Sequence, residues 1–386
     1  MSVQNWSARF RWTTVLGSLV LMGAMTPFIF AGGTCPFGIL GLFLALWCLW
    51  IGFVFRRIGW WAIQLAAVML ALSVGEALLT YRHSIKQLSY EDLDVPGRSR
   101  KVASELLGLA PFPNQRIRHT LRVRNRLFVD AVYTINEFGL RVVPSSQGGP
   151  GDATIVFMGC SFTYGIGVQD DETLPDQVAA RSPGTNVLNF AFGGYGPQQM
   201  LANLESGRVA QICPTPPRKV IFQMIPDHVR RVRGWVNFAI NFPRYVQHEG
   251  GVRREGNLND SWWSQVVMPH VWKSMIFDRV VAPRMAGATD VDLAAAIVQQ
   301  SAEEISRQFP DCEFHVLFWN HPDERLAIPL RRKLEEAGIH LHSVEEQIPE
   351  LQNTGEKYKI PQDGHPTPET NRLLAEYVCR EILGEP

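Results

Sequence analysis

One serine follows a short apolar stretch that has the composition of a buried strand. Residues 153–158 are Ala-Thr-Ile-Val-Phe-Met, and Gly159-Cys160-Ser161 comes directly after them. In open α/β sheets, a strand of this type ends at the edge where ligands bind. Small residues on such a turn let backbone N–H groups approach the atom that a serine attacks. Ser161 therefore either acts as a nucleophile or caps the segment that follows it.

The elements around this serine alternate between strand and helix patterns after residue 152. We predict strands at 154–158, 186–190, 219–225 and 313–319. We predict helices at 173–181, 197–211, 290–309, 323–337 and 368–383. This alternation predicts a mostly parallel sheet with helices on both faces. Residues 229–290 are rich in tryptophan and lack a clear period, so we predict an insertion that packs onto the core.

The part of the chain before this domain has mixed patterns. We expect residues 82–112 to form a linker with some helix. Between 120 and 143, polar and apolar residues alternate, which predicts two or three strands of a small β element. Residues 145–151, rich in Ser, Gly and Pro, are predicted as a boundary loop. The expected organisation is therefore a membrane region at 1–82, a linker and small β element at 83–150, and an α/β domain at 151–386.

The N-terminal region is strongly apolar, with no Asp, Glu, Lys or Arg between Thr13 and Phe55. Three apolar stretches, at 13–31, 36–55 and 58–80, are each about the 20 residues needed to cross a bilayer. The alternative for the first is a cleaved signal peptide. Glu76 is placed near the end of its span, where its carboxylate can reach the interface. We therefore predict a bundle of three transmembrane helices.

The basic residues predict how these helices are oriented. Arg9 and Arg11 precede the first stretch, and Arg56 and Arg57 separate the second from the third. The positive-inside rule then places the N-terminus in the cytoplasm and everything after the third stretch in the periplasm or outside the cell. The expected location is the inner (plasma) membrane, with the bilayer as one partner.

The composition also narrows the classes of function. Formal net charge is zero and no long basic run occurs, so nucleic acid is not expected as a partner. The six cysteines show no C-x-x-C spacing, which removes the usual zinc pattern. His340 and His342 would share one face of a strand, but a half-solvated strand is favoured over a metal site. We predict neither a metal nor another cofactor.

Three segments together resemble the SGNH (GDSL-type) serine hydrolases. Gly159-Cys160-Ser161 is similar to the first block of that family, and Asn189 with Gly194 is similar to the second. Asp363-Gly364-His365-Pro366, followed by a terminal helix, resembles the last block. Upstream, residues 136–141 (Asn-Glu-Phe-Gly-Leu-Arg) look like the Asn-x-x-Gly-x-Arg motif that precedes the first block in many bacterial members, here called the lead-in motif. The resemblance implies a flavodoxin-like, three-layer α/β/α fold over about residues 130–386.

The resemblance also implies roles for individual residues. Ser161 would be the nucleophile, His365 the general base, and Asp363 the carboxylate that orients His365. The backbone N–H groups of Ser161 and Gly194 would stabilise the oxyanion. Asn189 would lie beside them as a substrate-binding residue.

The chain departs from the family pattern at three places. Cys160 replaces the Asp beside the serine, and the acid and histidine are spaced Asp-x-His, as in O-acetylating relatives of the fold. Pro226 stands where the family has an oxyanion Asn, and proline has no N–H to donate. The candidate substitutes are His228, Arg230 and Gln223, with Asp227 retained from the family block. Asp227, His228 and Arg230 are also candidate substrate-binding residues.

Three functions follow as hypotheses. The first is a membrane-anchored serine esterase that forms an acyl-enzyme on an ester of an extracytoplasmic glycan or lipid. The second is an O-acyltransferase, such as an O-acetyltransferase that modifies an exported polysaccharide. The third is a non-catalytic SGNH-like scaffold that binds a glycan or a membrane protein. The replacement of two family residues by Cys160 and Pro226 favours this hypothesis.

Overall fold

The computed structural model describes residues 12–20, 23, 26, 35–55, 58–147, 149, 152–320, 323–352 and 355–384. The chain divides into two compact units. One consists of Met1–Ile85 and Trp262–Pro283, and the other of Lys86–Ser261 and Arg284–Pro386. The predicted boundary near residue 82 is therefore close to the observed one, but the first unit also includes a segment from far along the chain.

The first unit contains two long apolar helices among the described residues. Its helices are α1 (12–20), α2 (Pro36–Val54) and α3 (Gly59–Ser84). Among the described residues, α2 and α3 are the helices that are long and apolar enough to cross a membrane. Many of their large apolar side chains are exposed, among them Phe53 at 65% and Trp60 at 70%, which a soluble core helix would bury. The second and third predicted spans thus have a helix of spanning length, whereas the first, at 13–31, lies partly outside the described residues.

Residues 262–283, in the second half of the predicted insertion, belong to this first unit and not to the α/β core. Glu76 of α3 is only 4% exposed, and its carboxylate accepts hydrogen bonds from the Ser274 hydroxyl and from the Met275 N–H, the latter at 2.8 Å. The prediction that Glu76 extends to an interface is therefore wrong. A buried carboxylate needs donors close by, and residues 274 and 275 supply them.

The part of the second unit that the structure describes contains twelve strands. They are β1 (Lys86–Asp92), β2 (Lys101–Ser104), β3 (Gly108–Pro111), β4 (Gln115–Val123), β5 (Arg126–Ile135), β6 (Thr154–Gly159), β7 (Asn186–Asn189), β8 (Pro217–Met224), β9 (Pro243–His248), β10 (Gly251–Asn257), β11 (Glu313–Phe318) and β12 (His340–Ser343). The α-helices that follow α3 are α4 (Ser161–Tyr164), α5 (Leu174–Ala179), α6 (Pro197–Glu205), α7 (Arg208–Ile212), α8 (His228–Arg231), α9 (Met268–Val271), α10 (Ala282–Met285), α11 (Ala288–Gln308), α12 (Glu324–Glu336), α13 (Val344–Gln347) and α14 (Pro368–Tyr377).

Five of these strands form the central sheet, in the order β12-β11-β8-β6-β7, and every neighbouring pair is parallel. Side chains alternate between the two faces of a strand. Accordingly Val156 and Met158 pack in one core with α6, α11 and α12, whereas Ile155 and Phe157 pack in another with α5 and α14. Helices on both faces give the three α/β/α layers that the sequence predicts.

Differences from the predicted elements are local. The predicted helix at 197–211 is two helices, α6 and α7, separated by Gly207 at φ +71°. Strand β12 agrees with the half-solvated strand expected for His340 and His342, although it is not among the four strands predicted for the sheet. The terminal helix α14 continues as a π-helix over Val378–Leu383.

The small β element is larger than the sequence predicts. Strands β1, β4 and β5 form an antiparallel three-stranded sheet, and β2 pairs with β3. Residues 82–112, predicted as a linker with some helix, thus contain three strands after the end of α3. Strand β1 pairs with β4 along its whole length, from Lys86 opposite Val123 to Asp92 opposite Ile117. Such long-range pairing turns a weak local pattern into a strand.

Candidate active site

Ser161 lies at the carboxyl edge of the central sheet, where β6 ends and the short helix α4 begins. It is the first residue of α4; the capping position is that of Cys160, and no side chain caps the helix. The alternative in which Ser161 caps the next segment is therefore not observed. Gly159 has φ +149°, and a Cβ there would lie 2.4 Å from Thr163 Oγ1. Only glycine lets the chain turn this tightly before the serine.

Asp363 and His365 form a close pair in a tight loop before α14. His365 Nδ1 is 2.5 Å from Asp363 Oδ2. Gly364, at φ +87°, forms the turn between them, and Ile360 N–H donates to His365 O at 2.8 Å. Burial raises the pKa of the Asp363 carboxyl, but the hydrogen bond and charge of His365 outweigh it and hold that pKa below its usual value. The ionised carboxylate thus fixes the proton on Nδ1 and leaves Nε2 as a base.

The residue next to the serine connects the two halves of the site. The Phe162 ring centroid lies 5.5 Å from that of His365 and 5.6 Å from that of Trp319, in both cases edge to face. No hydrogen bond joins the Ser161 hydroxyl to the His365 ring within the described parts of the chain. Such contacts are often long without substrate and tighten in the reacting complex. The fold therefore brings the predicted nucleophile and base to the same edge of the sheet.

Two backbone N–H groups are available as oxyanion donors. Neither the Ser161 N–H nor the Gly194 N–H donates a hydrogen bond to another described residue. Gly194 has φ +94°, and a Cβ there would lie 3.1 Å from the Phe238 ring. Both groups lie after neighbouring strands, β6 and β7, at one edge of the sheet. Their role as an oxyanion hole stays a prediction.

Asn189 occupies a supporting position. It is fully buried, its Nδ2 donates to Thr163 O at 3.2 Å, and its Oδ1 accepts from Ala191 N–H at 3.1 Å. These contacts tie the end of β7 to helix α4. Each end of the amide thus has a partner inside the protein, and the role of Asn189 in substrate binding stays a prediction.

The segment that follows strand β8, residues 227–231, takes part in an ion-pair network. Asp227 pairs with Arg230 and Arg231, each at 2.8 Å, and Arg230 also pairs with Asp323 at 2.6 Å. Burial raises the pKa of the Asp227 carboxyl, but the two guanidinium groups outweigh this effect and lower the pKa overall. Both charges are thus paired within the fold, and roles of Asp227 and Arg230 in substrate binding stay predictions.

His228 and Gln223 are further from solvent than a substitute for the oxyanion Asn should be. His228 is fully buried, and its ring packs 5.5 Å from the Phe222 ring. Gln223 is also fully buried, and its Oε1 accepts from Thr163 Oγ1 at 2.9 Å. Neither side chain reaches the surface of the site. The structure thus identifies no side chain that replaces the Asn at Pro226.

Cys160 is part of the apolar core. It is 0% exposed and packs in the cluster that contains Ile155 and Phe157. A thiol in this position cannot reach a substrate, whereas Ser161 retains 8% exposure. The structure therefore favours the serine over the cysteine as the nucleophile.

The sequence had not assigned a role to Arg141. This residue is 1% exposed and donates to the carbonyls of Tyr164, Gly165 and Val168 at 2.6 to 2.8 Å. It also pairs with Asp170 at 2.8 Å. Its position in the Asn-x-x-Gly-x-Arg lead-in was the available signal. Arg141 holds the segment that follows the serine helix.

No protein-family model matches the chain, and no curated protein matches it. Solved structures do resemble it. One is a lipolytic protein of the G-D-S-L family from Veillonella parvula, with 14% identity and a TM-score of 0.36, covering 60% of this chain and 98% of that one. Another is a carbohydrate esterase family 2 enzyme from Corynascus thermopiles, with 13% identity and a TM-score of 0.35, covering 78% and 86%. A third is an acetyl xylan esterase from Butyrivibrio proteoclasticus, with 11% identity and a TM-score of 0.34, covering 76% and 83%.

Proposed function

We propose that the protein is a serine esterase that works through an acyl-enzyme. The observation that carries this proposal is the His365–Asp363 pair, whose ring packs against Phe162, the neighbour of Ser161. A serine is a weak nucleophile until a base takes its proton. Here the base is oriented by an ionised carboxylate, and the serine lies on a turn at the ligand-binding edge of the sheet.

The proposed reaction has two steps. Ser161 Oγ attacks the acyl carbon while His365 Nε2 takes its proton, and the oxyanion forms near the Ser161 and Gly194 N–H groups. The alcohol then leaves with the proton from His365, which gives an acyl-serine. Water attacks this ester in the reverse manner and releases the acid. With Pro226 in place of an Asn, two backbone donors carry the stabilisation of the oxyanion, each contributing roughly 3–4 kcal/mol.

The substrate and the acceptor belong to the same proposal. An extracytoplasmic glycan or lipid ester is the proposed substrate, because the exposed apolar helices α2 and α3 support a membrane anchor. Transfer of the acyl group to a sugar hydroxyl uses the same acyl-enzyme, with a sugar in the place of water. Incubation with an activated acetyl ester and candidate glycans separates the two outcomes, by whether acetate is released or transferred.

Covalent labelling tests the mechanism. A fluorophosphonate should label the purified full-length protein once, at Ser161, and the label should be absent in Ser161→Ala. Asp363→Asn should lower the labelling rate by about 10³- to 10⁴-fold, because the wrong tautomer of His365 is then favoured. Mass spectrometry of the labelled peptide identifies the site.

Ser89→Ala is the matched control, because Ser89 is an exposed serine on β1. This variant should be labelled at the rate of the unaltered protein. Folded protein that is not labelled at all would support the scaffold function instead. A label on any residue other than Ser161 would contradict the assignment of the nucleophile.

A further inference from the structure

Three histidines and a glutamate form a cluster on the central sheet, away from the serine. His315 lies on β11, and His340 and His342 lie on the edge strand β12. The parallel register places His315 beside His340 and Leu317 beside His342. Glu313 precedes His315 by two residues, so both side chains share a face. The cluster is near the start of the strands, whereas Ser161 and Trp319 are beyond the ends of theirs.

The donor atoms of this cluster are close enough to share one ion. One ligand atom each from Glu313, His315 and His340 lie within 4.8 Å of one another. His315 Nε2 is 3.2 Å from Glu313 Oε2, which is close to the roughly 3.3 Å that separates two ligands of a tetrahedral zinc ion. The His340 side chain is exposed, so its ring can rotate to complete the set.

A second set of contacts holds the central ring of the cluster. His315 Nδ1 is 3.1 Å from His342 Nε2, and His342 Nδ1 is 2.8 Å from the Tyr377 hydroxyl of α14. Rings that bind metals in proteins usually have their other nitrogen hydrogen-bonded in this way. If His315 Nδ1–H donates to His342, then His315 Nε2 has a lone pair that points at the Glu313 carboxylate. Two lone pairs at 3.2 Å repel unless a cation lies between them.

The same chain of contacts can also run in the opposite direction. The Tyr377 hydroxyl then donates to His342 Nδ1, His342 Nε2–H donates to His315, and His315 Nε2–H donates to Glu313. Each ring has one proton in both arrangements, so the chain can reverse without losing a hydrogen bond between the rings. The cluster is therefore stable without an ion and is ready to bind one.

We propose that Glu313, His315 and His340 form a binding site for one divalent cation of the zinc class, with His342 and Tyr377 orienting His315. Two imidazoles and a carboxylate match the ligands that zinc takes in proteins, with a fourth position open to water. The ion bridges the edge strand β12 to β11. It stabilises the sheet edge and takes no part in the ester chemistry.

One contact opposes binding and makes the proposal more specific. Lys219 on β8 pairs with Glu313 at 2.7 Å. Its ammonium group must move away from the carboxylate when a cation arrives, which lowers the affinity. Lys219→Met should therefore bind zinc more tightly, by at least several-fold, whereas a surface that binds zinc without Glu313 would not respond to this change.

Titration of the metal-free, full-length protein in detergent with Zn²⁺ tests the site. Calorimetry should show binding at one site per chain, and the melting temperature should rise with added Zn²⁺. His340→Ala should abolish this binding. His342→Phe, which removes only the orienting contact, should weaken it by about 10- to 100-fold. Because the His340 side chain is exposed, His340→Ala should keep the fold of the parent protein.

Two controls separate this site from other zinc-binding groups. His248→Ala removes an exposed histidine of β9 outside the cluster and should leave the affinity unchanged. Cys312→Ser removes the thiol next to Glu313 and should also leave it unchanged. The proposal is overturned if the unaltered protein shows no binding at one site, or if His340→Ala binds as the unaltered protein does. Loss of binding in Cys312→Ser alone would assign the ion to a thiolate site instead.

Discussion

The side chains around Ser161 differ in how much of their hydrogen-bonding capacity the fold satisfies. The Asp363 carboxylate has the His365 ring as a close partner, and the Asn189 amide has two backbone partners. His228 is different, because neither of its ring nitrogens has a hydrogen-bond partner among the described residues although both are buried. A buried, unpartnered nitrogen costs roughly 1–3 kcal/mol. We therefore expect the His228 ring to lower the stability of the core.

We expect His228→Leu to stabilise the protein by about 1 kcal/mol at pH 7, because it removes two unsatisfied nitrogens and keeps an apolar contact with Phe222. Burial, then the charge of Arg231, hold the pKa of His228 well below its ordinary value. The unfolded chain therefore takes up a proton near pH 6.5 that the folded chain does not. The free energy of unfolding is therefore not reduced by this protonation above that pH, and it decreases as the pH falls below it.

Chemical denaturation of the purified protein at pH 7 and pH 5 measures both effects. The advantage of His228→Leu should be larger at pH 5, since only the parent protein has this histidine to protonate. Ester hydrolysis should be unchanged at pH 7. A variant that is less stable than its parent at both pH values would show that the ring nitrogens have partners, and a loss of activity would return His228 to the site.

At the scale of elements, the loop before the sheet and the turn after the serine are held together by one arginine. Asn136 Oδ1 accepts from the N–H groups of Phe138 and Leu140, which closes the turn of the lead-in motif. Gly139 adopts φ +73° within it. The turn directs Arg141 beneath residues 164–170, where its guanidinium has four oxygen partners. The motif therefore supports the active site without entering it.

Arg141→Met should lower the free energy of unfolding by about 3–5 kcal/mol, because it leaves the Asp170 carboxylate without its buried partner. It also leaves the carbonyls of residues 164, 165 and 168 without their donor. The fluorophosphonate labelling rate of the remaining folded protein should fall as well, since the segment after Ser161 loses its support. Denaturation curves and labelling time courses measure the two effects.

Arg122→Met provides the comparison, because Arg122 is an exposed arginine on β4. Its stability should stay within about 0.5 kcal/mol of the parent protein, as is usual for surface changes. Equal effects of the two substitutions would show that Arg141 contributes no more than a surface arginine.

At the scale of the whole molecule, the apolar surface of the first unit points to a membrane. In addition to α2 and α3, residues 262–283 of this unit expose large apolar side chains, including Trp262 at 68% and Trp263 at 57%. Aromatic residues of this kind are enriched at membrane interfaces. In the sequence, residues 262–283 lie between two segments of the second unit. They therefore add two covalent connections between the units, besides the one at residue 85.

The orientation of this membrane region is tested with fusions in a bacterial host. Alkaline phosphatase fused after Pro386 should be active, because the positive-inside rule places the second unit in the periplasm, where that enzyme forms its disulfides. The same enzyme fused after Arg57 should be inactive. The reverse pattern would place the active site in the cytoplasm and remove exported glycans as substrates.

Patterns that depend on near neighbours could be predicted from the sequence. The alternation of strands and helices predicts the three-layer domain, and the apolar strand before Gly159 places the serine at the edge of the sheet. Asp363 and His365 are two residues apart, so their contact needs only one tight turn. The apolar composition of α2 and α3 indicates helices that can cross a membrane. Local backbone preference and side-chain period determine all of these features.

Only the tertiary structure decided which polar residues face the site. Asn189, Asp227 and His228 have the residue types of binding groups, but Asn189 and His228 are buried, and Asp227 belongs to an ion-pair network that includes a distant segment of the chain. Asp323, for example, lies 93 residues from the Arg230 it neutralises. The same holds for β12, which exists because β11 pairs with it, and for residues 262–283, which join the apolar helices. Burial and charge compensation arise from contacts between distant segments, so spacing along the chain cannot predict them.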